Sequence, residues 1–280
     1  MVKRTITFLI PFVAKYSENQ WQDRCAKLQQ SLQSILNSSN TNFEVVIAGH
    51  DKPDFLLQSQ ERVHFLSLDS PRPDPNRKDV IEARSDKLRK VAAAWNFAQA
   101  NWDSDYVMKY DADDFISSKL VNWLATNEKC PGFRITRGWI WKEPWRHWIK
   151  QENKFDLSCG TSVIIASKNA DLQIDVKSNN ELIYEGLSSN TKFYNSENIA
   201  FRRTILVSNN HGNALSQFTS YGLKIQEIPF RAAIYRLGSK HSLSGDMHRI
   251  SSIRMLISTL TRMRYLSKNI QNEFGMFVAV

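Results

Sequence analysis

Apolar residues in this chain come in two kinds of run, short and continuous or spaced three and four apart, and the alternation between them predicts the elements. Thr5-Ile6-Thr7-Phe8-Leu9-Ile10-Pro11 is a continuous run closed by proline and predicts a buried first strand. Trp21, Cys25, Leu28, Leu32 and Ile35 then recur at helical spacing, and Asn37-Ser38-Ser39-Asn40 ends that helix. Phe43 to Ala48 and Val63 to Leu68 read as two further strands, the second followed by a proline-rich loop over Ser70 to Pro75. With no hairpin turn signals between them, this order predicts a parallel sheet covered by helices. Residues 83 to 100 form the next helix, with Leu88, Val91, Ala92, Trp95 and Ala98 or Gln99 on its buried side. A strand from Tyr106 follows at once and opens into Asp111-Ala112-Asp113-Asp114 before Phe115-Ile116.

Beyond this point the pattern loosens. Residues 132 to 149 interleave Phe133, Trp139, Trp141, Trp145 and Trp148 with Arg134, Arg137, Lys142, Arg146 and His147, a mixture suited to stacking on sugar rings or to packing as a lid on the sheet. Phe155 to Ile165 reads as a strand around a glycine-containing bend, and 167 to 197 as polar loops with a short helix. A helix runs from about Asn213 to Tyr221 with Gly222 as its C-cap, a strand from Lys224 to Ile228 leads to Pro229–Arg236, and a helix with an apolar stripe covers 247 to 266.

Composition narrows the class. At 280 residues the chain is long enough for one large α/β domain with an appendage, and 42% hydrophobic with 23% charged residues is a globular balance. No apolar run reaches the roughly 18 to 20 residues of a bilayer span. Thr5 to Val13 lacks a signal-peptide layout, so the expected location is cytoplasmic. Three distant cysteines, Cys25, Cys130 and Cys159, have no metal-ligand spacing and read as reduced structural thiols. The formal charge of +9 would suit nucleic acid, an anionic membrane surface or phosphate-bearing ligands. About two thirds of the excess falls in residues 231 to 280, where eight Lys/Arg face only Asp246 and Glu273.

The acidic cluster decides among these. Carboxylates a few ångströms apart repel and hold protons at neutral pH unless a cation compensates them, and hard oxygen ligands favour Mg²⁺ or Mn²⁺. The cluster ends a strand of a parallel sheet, and the carboxyl edge of such a sheet is where ligands bind.

In this order the features resemble the nucleotide-sugar-dependent glycosyltransferases of the GT-A fold, in particular the family-2-like bacterial enzymes of surface-polysaccharide synthesis, from about Thr5 to His241. The resemblance implies an α/β fold of the GT-A type, with a Rossmann-like, mostly parallel central sheet flanked by helices and a C-terminal helical extension. It divides the chain into a GT-A domain over 1–245, with a nucleotide-binding half at 1–115 and an acceptor-binding half at 116–245, and a basic amphipathic extension at 246–280. It implies donor contacts at Pro11, at Asp51 as the base-contacting acid, at Arg84 of an Ala-Arg pair, at Lys87 and at Asp111. Asp111 and Asp113 match the Asp-x-Asp metal motif, with His241 as a further ligand. The sequence departs from the family where many members carry Glu-Asp before a helix ending in glycine: Asn210-His211 stands there. His211 is then the expected base, with Glu197 or Asp156 as alternatives.

The implied activity is metal-dependent, inverting transfer from a nucleotide diphosphate sugar, a UDP-sugar foremost, to a saccharide or lipid-linked saccharide. A non-catalytic GT-A-like nucleotide-sugar-binding protein and a basic nucleic-acid-binding protein are the alternatives, nucleic acid not being an expected partner. The C-terminal helix would allow peripheral contact at the inner face of a membrane, or a homodimer. A sugar-1-phosphate nucleotidyltransferase is disfavoured because Phe12 to Asn19 contains no glycine to grip a triphosphate.

Overall fold

A computed structural model describes residues 1–57, 61–74, 80–172, 204–208, 214–237 and 261–276. Four parallel strands form its centre: β1 (Val2–Pro11), β2 (Phe43–Gly49), β3 (Val63–Ser67) and β4 (Trp102–Lys109). They lie in the order β3-β2-β1-β4, with Leu9 opposite Lys109 and Ile10 opposite Ile47. Successive residues of β1 are buried on opposite faces, which is why its apolar run is continuous rather than alternating. Ile6, Phe8 and Ile10 pack with Trp21, Cys25, Leu28, Leu32 and Ile35 of helix α1 (Glu18–Leu36) on one face. Leu9, Val46 and Ala48 pack with Val91, Ala94, Trp95 and Ala98 of helix α2 (Val80–Asn101) on the other. Polar Thr7 is accommodated there by bonds with Ser104 (2.6 Å) and the Trp102 indole (2.7 Å).

Strands from the second half widen this sheet. Counting on in chain order, β5 is Phe115–Ile116, β6 Gly132–Arg134, β7 Gly138–Lys142, β8 Trp148–Glu152, β9 Val163–Ala166, β10 Gln226–Glu227, β11 Ala233–Leu237 and β12 Met263–Tyr265. β9 pairs antiparallel with β4, and β6 and β10 follow, so the seven-stranded sheet runs β10-β6-β9-β4-β1-β2-β3 and only β9 opposes the rest. A five-stranded second sheet, β12-β8-β7-β11-β5, takes up the aromatic block. The sequence pattern did not foretell this sheet.

Two expectations need correction. Phe155 does not open a strand: Phe155–Leu157 is one 3₁₀ turn, pinned because the Phe155 ring fills the space a Cβ at Gly138 would need, 2.2 Å away. The strand there spans only Val163–Ala166. The helix expected over 247–266 lies outside the described residues up to 260, and Met263–Tyr265 is a strand. It pairs antiparallel with β8, satisfying backbone groups that an edge strand would otherwise leave open. The helix before Gly222 spans Ala214–Ser220, and Gly222 adopts φ +66°, the left-handed value that a glycine C-cap supplies without a Cβ penalty.

Candidate active site

The Asp111–Asp114 turn lies where β4 leaves the sheet. Its geometry is set from below: the Tyr110 hydroxyl donates to the Asp114 carbonyl (2.7 Å), Ser31 of α1 donates to the same oxygen, and the Asp114 amide closes the turn on the Asp111 carbonyl (3.1 Å). The three carboxylates then separate. Asp114 is fully buried and accepts from the Arg236 backbone amide (3.2 Å) and the Cys159 thiol (3.1 Å), which makes it a structural group. Burial, with the charges of Asp113 and Asp111, holds its carboxyl well above the usual range. Asp111 and Asp113 stay partly open at the edge.

Asp111 is gripped on two sides. Lys87 of α2 donates to its Oδ1 at 2.5 Å, and Gly160 backs onto its Oδ2, where a Cβ would come within 2.6 Å. Its amide donates to the Thr161 hydroxyl (2.9 Å). Burial depresses the Lys87 ammonium, but Asp111, Asp113 and Asp114 outweigh it and hold it above its ordinary value. Asp113 is pushed up to about 6 by burial and by the Asp111 charge, against the pull of Arg236 and Lys87. Asp111 and Asp113 thus present hard oxygen donors side by side at the partly open edge, a donor chemistry that fits a divalent cation. Among the described residues no group of three or more His, Cys, Asp or Glu converges on one point, and the third expected ligand, His241, lies outside them.

The expected donor contacts gather around the same edge. Pro11 ends β1 beside Ala48. Asp51, just past β2, accepts from the Lys15 amide and from Arg72, both at 2.8 Å, which ties three loops together. Arg84 is exposed one helical turn before Lys87. Asp156 is paired with Arg134 at 3.2 Å and lines a separate cleft with it. His211 and Glu197 lie outside the described residues.

Sequence reasoning missed several participants. Arg236 of β11 is buried between the rings of Phe115 (4.6 Å) and Trp141 (5.2 Å), bonded to Gln30. Burial lowers its pKa while Asp113, Glu143 and Asp114 support the charge. Lys109 is pulled down to about 7 by burial and by Lys87, against Asp111. Arg24 of α1 is lowered by burial and supported by Tyr16, Asp23 and Asp113. The period-two placement of Ile234 and Arg236 on one face of a strand was the available clue to the arginine; nothing in the pattern marked Gly160 or Arg24. The aromatic block is mostly internal, with Trp141 buried and Trp139 beneath Arg231 at 5.1 Å, while Trp148 stays half exposed.

Among solved structures the chain is similar to S. aureus TarS 1-349 (11% identity, TM-score 0.46, covering 83% of this chain and 60% of that one). It is also similar to the glycosyltransferase GlyE of Streptococcus pneumoniae TIGR4 (12%, 0.37, covering 82% and 46%). A third is the mannosyltransferase PcManGT from Pyrobaculum calidifontis, solved with GDP-Man and Mn²⁺ (10%, 0.45, covering 85% and 59%). The chain thus spans between about half and three fifths of the length of these proteins. Likenesses this distant carry no inference about donor, metal or acceptor. No curated protein matches the sequence. The profile of Glycosyl transferase family 2 matches residues 22–207, from within α1 through the acidic turn and past β9. With two thirds of its length under that match, the chain belongs to glycosyl transferase family 2 and has its GT-A type of α/β architecture.

Proposed function

We propose that this chain is a metal-dependent, inverting glycosyltransferase that moves a sugar from a nucleoside diphosphate donor, a UDP-sugar foremost, to a hydroxyl of a saccharide or lipid-linked saccharide. The observation that carries the reading is the pair of carboxylates Asp111 and Asp113, both partly open at the sheet edge, with Lys87 bonded to Asp111. Asp111 and Asp113 are the residues to hold Mn²⁺ or Mg²⁺, with His241 as a further ligand. When bound, such an ion stabilises the negative charge of a departing diphosphate. Lys87 and Arg84 add fixed positive charge on the α2 side, and Asp51 with the end of β1 at Pro11 lines the nucleoside end. His211 is the group proposed to take the acceptor proton on the opposite face of the sugar, which predicts a rate that falls on acidification as the imidazole takes up a proton.

The test is donor hydrolysis and transfer across a panel of nucleotide sugars with Mn²⁺ or Mg²⁺. Asp113→Ala is expected to cut turnover by at least about 100-fold while circular dichroism stays unchanged. Near-normal turnover of the variant would remove the metal assignment. Donor binding without turnover by the unaltered chain would favour a non-catalytic binding protein instead.

A further inference from the structure

Beyond β9, on the same edge of the main sheet, the chain has a second polar cleft of about 420 Å³. Arg134 of β6 lies opposite Val163 of β9, and β9 lies beside β4. Two strand spacings, about 10 Å, therefore separate this cleft from the line of β4 that ends at Asp111. One wall is internally balanced: Arg134 donates to Asp156 (3.2 Å) and Glu227 (2.5 Å), and the Thr136 hydroxyl donates to Glu227 (3.1 Å).

The other wall has no balancing carboxylate among the described residues. Arg137 and Lys154 are both exposed, and neither pairs with a carboxylate among the described residues; Arg137 donates to the neutral Pro229 carbonyl at 2.5 Å. Behind them Arg231 is committed to the Gly138 carbonyl (2.9 Å), the Glu152 carbonyl (3.1 Å) and the Asn153 amide oxygen (3.0 Å). Its guanidinium is pulled down by burial and then by the Arg137 charge, with Arg264 adding to this and Glu152 opposing it. Glu152 does not answer the excess. Its carboxylate is taken up by Lys150 (3.2 Å), by the Asn153 and Lys154 amides (3.0 and 3.2 Å) and by Arg262 at 4.0 Å. Like charges gathered around a concave opening repel until an anion enters, and paired anionic oxygens suit a guanidinium fork.

We propose that this cleft holds an anionic group of the acceptor, a phosphate or a carboxylate, between Arg137 and Lys154, with Arg134 as the fixed wall. The assignment of the ligand as acceptor rests on the transferase reading above; the anion site itself does not. Acidic Asp156 and Glu227 on the balanced wall restrict the ligand to one that places its charge toward Arg137 and Lys154. A flat layer of headgroups would press on both walls alike.

Glycerol 1-phosphate and glucuronate, titrated separately into the full chain and followed by amide NMR shifts, test this. One or both probes are expected to perturb residues 134–137 and 153–157, and which one binds identifies the anion. Arg137→Ala/Lys154→Ala is expected to weaken binding on the order of tenfold or more. Lys129→Ala, on the opposite edge, and Asp113→Ala are expected to leave it unchanged. Failure of both probes, wild-type affinity in the double variant, or loss of binding in Asp113→Ala overturns the proposal. So does sedimentation with phosphatidylglycerol vesicles that depends on Arg137 and Lys154 while both small probes fail, which assigns the surface to a membrane. If the probes bind as expected but no nucleotide sugar is turned over, the transferase reading fails and the anion site stands.

Discussion

Asp113 and Asp114 are neighbours in the chain with opposite assignments, and the difference comes from what each side chain meets. Asp114 turns inward to the Arg236 amide and the Cys159 thiol, whereas Asp113 and Asp111 face the open edge. A Cβ at 160 would come within 2.6 Å of the Asp111 carboxylate, so any side chain there forces that carboxylate to shift. Gly160→Ala is therefore expected to lower turnover by about 100-fold by displacing Asp111, with the fold retained, a split that kinetics and thermal melting together detect. The cysteines make a second residue-level prediction. Burial pushes Cys25 up to about 11, and burial likewise raises Cys130 and, with Asp114 beside it, Cys159. Raised thiols stay protonated below their pKa, so at pH 8 all three should react with an aromatic disulfide reagent on the order of 100-fold more slowly than a free thiol, and together once urea unfolds the chain.

Among the elements, the C-terminal strand and helix close the second sheet as a clasp. β12 pairs with β8, and Phe274 and Met276 bury against Phe115, Trp141 and Ile149. The helix Lys268–Glu273 begins on a Ser267 cap and ends with Glu273 bonded to Ser117 (2.7 Å) and Lys119 (2.8 Å), directly after β5. This clasp thus reaches the strand that follows the acidic turn. Phe274→Ala is expected to cost about 3–5 kcal/mol in urea unfolding, since a buried ring leaves a cavity. Glu273→Gln, a partly exposed pair, should cost well under that. Equal and negligible effects of the two would show that the tail does not hold β5.

Over the whole molecule, the three-layer packing buries charge that makes stability depend on acid. Burial pushes the Asp86 carboxyl up, but the His50 hydrogen bond and the charge and hydrogen bond of Lys90 (2.5 Å) outweigh it and leave it below its ordinary value. A carboxyl depressed in the folded state stabilises at pH above its unfolded value of about 4 and loses that contribution as pH falls through the folded value. The urea midpoint should therefore drop below pH 4, and Asp86→Asn should flatten that limb while lowering stability at neutral pH by leaving Lys90 buried without its partner. The paired helix and strand periodicities at 5–48 and 83–111 were enough to specify the parallel half and the acidic strand end, because continuous apolar runs and a 3.6-residue stripe have one compatible packing. The inward turn of Asp114 on Cys159 and the Arg236 amide, the glycine behind Asp111 and the pairing of β11 with β5 join residues 45 to 122 positions apart. No local pattern encodes such contacts, since each depends on which backbone happens to pass beside it once the layers have closed.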